Sequence, residues 1–263
     1  MLKTTSLLSL SFLVACSGDK DAGSDTGDSA GGDFTPVKIV ATYTDGLTGN
    51  ALMGGELCLV EPELPEFDCG TTDVYGMLSW TWEKPQETNF LMRFTLDGYI
   101  DTLFTGRYND ELAAVWAPEI EEKGQIEVFY STFQKTAVEM VLATGDVSIE
   151  SGKAMAFVNL VDVDGWGIEN AAVTLTDESG ADAGVVHYLN TSGSRLDGTR
   201  NSTSGSGAVA IPNMEPGEYT LTVSVPNMDC LPWFSWNSDE ANTVQVPVQA
   251  DTVTRTGLYC VSN

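Results

Sequence analysis

The segment PGEYTLTVSV, residues 216–225, decides the fold of this chain. Apolar side chains occupy every second position after its Pro-Gly pair: Tyr219, Leu221, Val223 and Val225. This period-two alternation is typical of a strand with one buried face, and the Pro-Gly pair predicts a tight turn directly before it. The stretch 243–248 alternates in the same way, so the region around this segment should be an antiparallel β structure.

Working outward, the segment closes the second of two copies of one pattern. Copy one begins VKIVATYTDG (37–46) and copy two begins AMAFVNLVDVDG (154–165), each a predicted strand that ends in an Asp-Gly turn. A second strand with small residues at its entry follows in both copies. Turns rich in Thr, Ser and Gly then lead to a third strand: GTTDVYG (70–76) in copy one and TSGSG (203–207) in copy two. Short strands with turns at this spacing predict antiparallel sandwiches.

The order of these elements resembles the carboxypeptidase regulatory-like domain, a transthyretin-like sandwich. The matching motifs are TDVYG (72–76), Gly98-Tyr99 and PGEY (216–219), and the resemblance covers most of residues 37–105 and 153–260. Copy two departs from the pattern by an insertion at 181–203, and copy one lacks the Pro-Gly-x-Tyr motif. The resemblance implies a sandwich of about seven strands and no active site.

We therefore predict an all-β chain with two tandem antiparallel sandwiches of the immunoglobulin or transthyretin type, at residues 35–130 and 150–263. Residues 131–149 should connect them through one short helix, because TFQKTAVEMVLAT (132–144) places its apolar residues on one helical face. Gly145 is positioned to end that helix. We expect the apolar face to pack on one or both sandwiches; the alternative is a helix that binds a partner.

The N-terminus has the form of a bacterial export signal. A Lys at position 3 precedes a short apolar run, Leu7 to Ala15, which is too short to span a membrane as a helix. The run ends in Leu-Val-Ala-Cys, which resembles a lipobox. The resemblance implies cleavage after a signal peptide at 1–15 and diacylglycerol attachment to the thiol of Cys16, with further acylation of the new amino terminus. Several buried acyl chains anchor a protein durably, at about 0.8 kcal/mol per CH₂. The alternative is an ordinary secretory signal with a chance cysteine.

Residues 16–34 predict a tether. The stretch SGDKDAGSDTGDSAGGD (17–33) has no large apolar residue, so it cannot pack into a core. We expect an outer-membrane lipoprotein of the bacterial envelope, because by family resemblance a residue other than Asp after the cysteine favours that membrane.

The remaining cysteines predict two disulfides. After Cys16, four cysteines are left, two in each copy, and an even number in an exported chain favours disulfides. Pairing within each copy gives Cys58–Cys69 and Cys230–Cys260, although the sequence allows three pairings. Zinc is the rival, but no CxxC motif occurs and the chain has one histidine.

The charge balance excludes some partners. Asp and Glu number 38 against 12 Lys and Arg, so the surface should repel nucleic acids and anionic lipid headgroups. The charge favours solubility, and calcium binding is the alternative. The segment DVDGWGIE (162–169) looks like part of a calcium loop but breaks the EF-hand pattern, so we predict a strand followed by an Asp-Gly turn.

No catalytic site is predicted. His187 is the only histidine, and no G-x-S-x-G nucleophile motif occurs. A hydrolase using His187 is the third hypothesis, and neither a cofactor nor a metal is expected.

The aromatic residues suggest the one candidate ligand site. Trp233, Phe234 and Trp236 fall in a predicted loop after Cys230, and Trp80 and Trp82 share one face of a predicted strand. Exposed flat rings can stack on sugars, whereas the alternative is that the rings face or cap the core.

The leading hypothesis is a non-enzymatic display protein that acts in surface recognition or as an envelope spacer. The alternative is a carbohydrate-binding module using the 231–237 loop, with a glycan or an envelope protein as partner.

Overall fold

Strands are the main element of the part of the chain that the computed structural model describes, which is residues 37–61, 69–82, 88–108, 122–232, 236–237 and 240–262. The strands of the first half are β1 (Val37–Asp45), β2 (Glu56–Glu61), β3 (Cys69–Thr71), β4 (Met77–Trp82), β5 (Thr88–Thr95), β6 (Thr102–Tyr108) and β7 (Gln125–Thr132). Helix α1 (Lys135–Ala143) follows. The strands of the second half are β8 (Ala154–Asp162), β9 (Ala172–Thr176), β10 (His187–Tyr188), β11 (Ala208–Met214), β12 (Gly217–Ser224), β13 (Met228–Pro232), β14 (Trp236–Asn237), β15 (Thr243–Val248) and β16 (Val253–Ser262).

The first half folds as a sandwich. Its smaller sheet has the order β4-β1-β7, with β1 antiparallel to β4 and parallel to β7. This sheet packs on β2, β5 and β6 through a core that contains Tyr43, Leu57, Phe94 and Phe104. The rings of Tyr43 and Phe94 stack with their centroids 4.6 Å apart. Buried aromatic pairs of this kind hold the two layers together.

The second half folds in the same way. Strands β11, β8 and β16 form one layer, in which β16 runs parallel to β8. The other layer is the four-stranded sheet β14-β15-β12-β9. The alternating residues of the 216–225 segment face the core as predicted, with Tyr219, Leu221 and Val223 buried. The all-β sandwich architecture is thus confirmed.

The predicted repeat is confirmed at the level of single hydrogen bonds. In the first half, the hydroxyl of Thr72 donates to the carbonyl oxygen of Leu52 at 2.6 Å. In the second half, the hydroxyl of Thr203 donates to the carbonyl oxygen of Ile168 at 2.5 Å. These threonines occupy the same position in the motifs 72–76 and 203–207, so the two turns are stabilised by equivalent hydrogen bonds.

One sheet joins the two halves. It has nine strands, eight of them in the order β10-β11-β8-β16-β6-β5-β2-β3, with β13 pairing along β16. The join is a parallel pairing of β6 with β16, in which Val253, Thr254 and Arg255 lie opposite Thr102, Leu103 and Phe104. The sequence predicted only the segment 131–149 as a connection. The predicted domains 35–130 and 150–263 both contribute strands to this sheet. Their limits therefore cannot be read from the sheet and stay a prediction.

Helix α1 packs as expected but is shorter than predicted. It begins at Lys135 rather than Thr132, because Thr132 belongs to β7 and pairs with Asp45 of β1. Val138 and Leu142 are buried in a cluster on the outer face of the nine-stranded sheet.

The end of the helix also differs from the prediction. The residue in the left-handed conformation is Asp146, with φ 58°, and not Gly145. A Cβ on Gly145 would lie 2.9 Å from the side chain of Leu196, so this glycine permits close packing instead.

Both predicted disulfides are present. Cys58 and Cys69 are opposite each other in the β2–β3 hairpin. Cys230 and Cys260 are opposite each other in β13 and β16. The second disulfide therefore fastens the last strand of the chain, which is also the strand that joins the halves.

Candidate functional site

Trp236 is not available to bind a ligand. Its side chain is only 7% exposed and packs against Leu91 and Leu103 of the first half. Its indole N–H donates to the carbonyl oxygen of Phe90 at 2.9 Å. The prediction that Trp236 stacks on a sugar is therefore wrong, because β14 is bound against the first sandwich. The other two predicted ligand residues, Trp233 and Phe234, lie outside the described residues.

The sequence analysis also considered Trp80 and Trp82, which belong to β4. Trp80 is buried in the core of the first sandwich, as the alternative interpretation expected. Trp82 is the last residue of β4, and its side chain lies outside what the structure describes.

Arg255 is a second link across the junction. One guanidinium nitrogen, Nη1, donates to the backbone oxygen of Ser131 at 2.6 Å and to its hydroxyl at 2.5 Å. The guanidinium lies 5.3 Å from the centroid of the Phe133 ring. Burial lowers the pKa of Arg255 to about 10. Among the described residues no carboxylate forms an ion pair with it. Hydrogen bonds therefore fix β16 to Ser131 of β7, and ring packing fixes it to Phe133 just after that strand.

Asp45 is a buried carboxylate at the same end of the first sandwich. Its Oδ1 accepts the backbone N–H groups of Leu47 and Thr48 at 2.9 and 2.8 Å. Its Oδ2 accepts the hydroxyl of Tyr99 at 2.8 Å. Burial alone would raise the pKa of Asp45, but these hydrogen bonds outweigh it and hold the pKa below its ordinary value. The carboxylate is thus an internal structural group rather than a free ligand.

A groove of about 250 Å³ lies where both halves and the start of α1 meet. Most of its charged groups already have partners. Asp101 pairs with Arg93 at 2.5 Å, and Lys153 pairs with Glu215. The carboxylate of Asp251 accepts the backbone N–H of Gly152 at 2.7 Å. The groove therefore presents paired charges rather than an acid and a base free to act on a substrate.

His187 lies on the two-residue strand β10, opposite Ala210 of β11. Burial lowers the pKa of His187 from its ordinary value, which favours the neutral ring. Within the described parts of the chain, no carboxylate or hydroxyl is hydrogen-bonded to it. A triad centred on His187 thus has no geometric support.

The loop that looked like a calcium site is a closed turn. The Oδ1 atom of Asp162 accepts the backbone N–H groups of Asp164 and Trp166 at 3.0 and 2.8 Å. This use of the carboxylate agrees with the predicted Asp-Gly turn at the end of β8. The same turn exposes 70% of Trp166, a residue that the sequence analysis did not select. Its position directly after the Asp-Gly pair was the signal that could have found it.

Comparison with known proteins gives no family. No family model matches the chain, and no curated protein matches it. The resemblance to carboxypeptidase regulatory-like domains and to lipoproteins therefore stays a prediction. Among the described residues, no helix is long and apolar enough to cross a membrane.

Several solved structures are distantly similar. The shaft pilin SpaA from Lactobacillus rhamnosus GG is 12% identical with a TM-score of 0.25, covering 87% of this chain and 99% of the pilin. The minor pilin of Streptococcus agalactiae is 11% identical with a TM-score of 0.27, covering 86% and 97%. The TIE protein of Bacillus anthracis is 13% identical with a TM-score of 0.27 over 86% of this chain, which spans 34% of that protein. At these TM-scores the similarity carries no argument about function.

Proposed function

We propose that this chain is a non-catalytic lipoprotein of the bacterial envelope that displays its two sandwiches as one rigid body. The lipid would be attached to Cys16, and residues 17–34 would serve as the tether. Two disulfides support an oxidising compartment outside the cytoplasm. The acidic composition supports a soluble, displayed body rather than one that adsorbs on anionic lipid. Its role would be surface recognition or the spacing of envelope components.

The single observation that carries the proposal of a rigid body is the β6–β16 pairing. Domains in one chain move relative to each other unless their interface is extensive and apolar. Here a backbone ladder crosses the junction. Trp236 and Arg255 add a buried indole contact and a guanidinium contact on either side of it. A rigid body of two sandwiches holds its surface loops in fixed relative positions, which suits recognition or spacing.

The absence of catalysis is part of the proposal. The groove at the junction has paired charges, and His187 has no catalytic partner among the residues that the structure describes. A screen of the purified chain on ester and peptide substrates tests this. Turnover of any of these substrates by the wild type would contradict the proposal, and its loss in His187→Ala would assign that activity to His187.

The anchor is tested by expressing the full chain in a Gram-negative host with labelled palmitate. The wild type should incorporate label and sediment with the outer membrane. Cys16→Ser should lose the label and leave the membrane fraction, whereas Ser17→Ala should keep both. An unlabelled wild-type chain in the cytosol that retains residues 1–15 would contradict the proposal.

The alternative function, a carbohydrate-binding module at the 231–237 loop, keeps two of its three residues. The burial of Trp236 removes that residue, and the prediction now depends on Trp233 and Phe234. A glycan array with the Trp233→Ala and Phe234→Ala variants tests it. Binding by the wild type that neither substitution weakens would exclude this loop.

A further inference from the structure

We propose that reduction of the Cys58–Cys69 disulfide turns the β2–β3 hairpin into a binding site for a divalent cation of the zinc type. The ligands would be the two thiolates and the carboxylate of Glu56. This redox-controlled metal site goes beyond the proposed display function and does not depend on the lipid anchor.

The register of β2 and β3 brings the three side chains together. Cys58 lies directly opposite Cys69, and Glu56 precedes Cys58 by two residues on the same strand. Side chains two residues apart on a strand share one face of the sheet. The two sulfur atoms and a carboxylate oxygen of Glu56 all lie within 4.8 Å of one another. Zinc binds sulfur at about 2.3 Å and carboxylate oxygen at about 2.0–2.2 Å, so a small movement lets one ion reach all three.

A dithiol reductant opens the site. Its thiolate attacks the sulfur of Cys69, which is exposed, and Cys58 leaves as a thiolate. The second thiol of the reagent then displaces Cys69, so the reagent is oxidised to a cyclic disulfide and the protein disulfide is reduced to a pair of thiols. The cation binds these groups as thiolates and releases their protons.

Arg93 favours the thiolate form of Cys58. It lies directly opposite Cys58 on β5, and its Nε–H is buried without a hydrogen-bond partner among the described residues. A guanidinium next to a cysteine stabilises the thiolate. Since Arg93 also pairs with Asp101, its own charge is already balanced. The two thiolates and Glu56 therefore leave an excess of negative charge, which a divalent cation offsets.

Hydrogen bonds hold the hairpin without the disulfide. The hydroxyl of Thr72, directly after β3, accepts the N–H of Gly55 at 2.9 Å and donates to the backbone oxygen of Leu52 at 2.6 Å. The backbone N–H of Thr72 donates to the oxygen of Gly55 at 2.9 Å. On its other side, β2 is paired with β5. Opening the bond between the sulfur atoms therefore leaves the three ligands close together.

The second disulfide provides an internal comparison. Cys230 and Cys260 are likewise opposite each other, but each is only 1% exposed. In the part of the chain that the structure describes, no other three Cys, His, Asp or Glu side chains bring their ligand atoms within 4.8 Å of one another. A metal site is therefore expected at the first disulfide and not at the second.

Cobalt binding to the full chain tests the proposal, since Co²⁺ held by thiolates absorbs strongly in the near ultraviolet. The chain is treated with dithiothreitol until peptide mapping shows Cys58–Cys69 open and Cys230–Cys260 intact, and the reagent is then removed in the absence of air. The reduced wild type should develop this absorption when Co²⁺ is added, and Zn²⁺ should remove it by displacement. The oxidised wild type should not develop it.

Variants identify the ligands. Cys69→Ser should abolish the absorption. Loss of a residue that only orients a ligand costs about 10–100-fold in metal affinity, so Glu56→Gln should weaken Co²⁺ binding by about tenfold or more. Glu61→Gln is the matched control, because Glu61 is exposed on the same strand but outside the cluster, so its loss should leave the affinity unchanged.

Three results would overturn the proposal. One is a reduced wild type that binds Co²⁺ no more tightly than the oxidised chain. Another is absorption that survives in Cys69→Ser, or equal affinity of the wild type and Glu56→Gln, with the variants folded as judged by thermal unfolding. The third is opening of both disulfides together, because the reduced hairpin would then not exist within the folded chain. Acylation of Cys16 is measured separately, so the failure of this site is distinguishable from the failure of the anchor.

Discussion

Trp236 of the second sandwich donates its indole N–H to the backbone oxygen of Phe90 in the first sandwich, at a distance of 2.9 Å. Both the apolar ring and its polar nitrogen are therefore used across the junction. Together with the β6–β16 pairing, this contact explains why two copies of a repeat form one body.

Replacing Trp236 should loosen the junction. Trp236→Ala should lower the free energy of unfolding by about 3–5 kcal/mol, because a buried aromatic ring is lost from a packed site. Trp236→Phe keeps most of the ring and loses the hydrogen bond, so it should cost about 1–3 kcal/mol. Urea denaturation measures both. A Trp236→Ala variant as stable as the wild type would show that the contact does not hold the halves together.

The two equivalent glycines of the repeat should be equally intolerant. Gly76 and Gly207 have φ values of 72° and 61°, and a Cβ on either would meet the backbone oxygen of Tyr43 or Leu160. Gly76→Ala and Gly207→Ala should each cost about 1–3 kcal/mol or more in thermal unfolding. Gly180→Ala is the control, since Gly180 has φ 79° but nothing within 4 Å of its Cβ position. If all three substitutions cost the same, close backbone contact is not the cause.

Protonation of Asp45 should lower the free energy of unfolding at acid pH. Its pKa is held below the ordinary value of 3.8 in the folded state, so the unfolded chain takes up a proton more readily. The stabilisation from Asp45 is complete above the pKa that this carboxyl has in the unfolded chain. It is lost as the pH falls through the pKa that the carboxyl has in the folded chain. Asp45→Asn should be less stable than the wild type by about 1–3 kcal/mol at neutral pH, through lost hydrogen bonds to a charged acceptor. The difference should shrink below about pH 4. A difference that stays constant between pH 7 and 3 would contradict this origin.

The two disulfides should differ in their accessibility to reductants. Cys69 is exposed and Cys58 is half-buried, whereas Cys230 and Cys260 are each 1% exposed. A mild reductant applied to the folded chain should open Cys58–Cys69 first and leave Cys230–Cys260 intact, because thiol–disulfide exchange requires access. Alkylation followed by peptide mapping measures the order. Equal rates for both would mean that the second pair is reached through local opening.

Local patterns predicted much of this fold. The alternation at 216–225 and the four paired cysteines depend on near neighbours or on residue counts, and both predictions were confirmed. The order of motifs also located the repeat, since turn residues such as Gly76 and Gly207 are fixed by the backbone conformation that they must adopt.

The junction could not be predicted in this way. The partners in the β6–β16 pairing, Thr102 and Val253, are far apart in sequence, and no local pattern indicates which sheet edges meet. For the same reason, the sequence could not tell that Trp236 is buried, because its partners Phe90, Leu91 and Leu103 belong to the first sandwich.

Amide hydrogen exchange is the most direct test that the two sandwiches form one rigid body. The pairing of residues 102–104 with 253–255 predicts slow exchange there, comparable to that of the core strands β1 and β8. Trp236→Ala should speed exchange in these segments before it does so in either core. Rapid exchange of 102–104 and 253–255 in the wild type, with both cores still protected, would contradict the account.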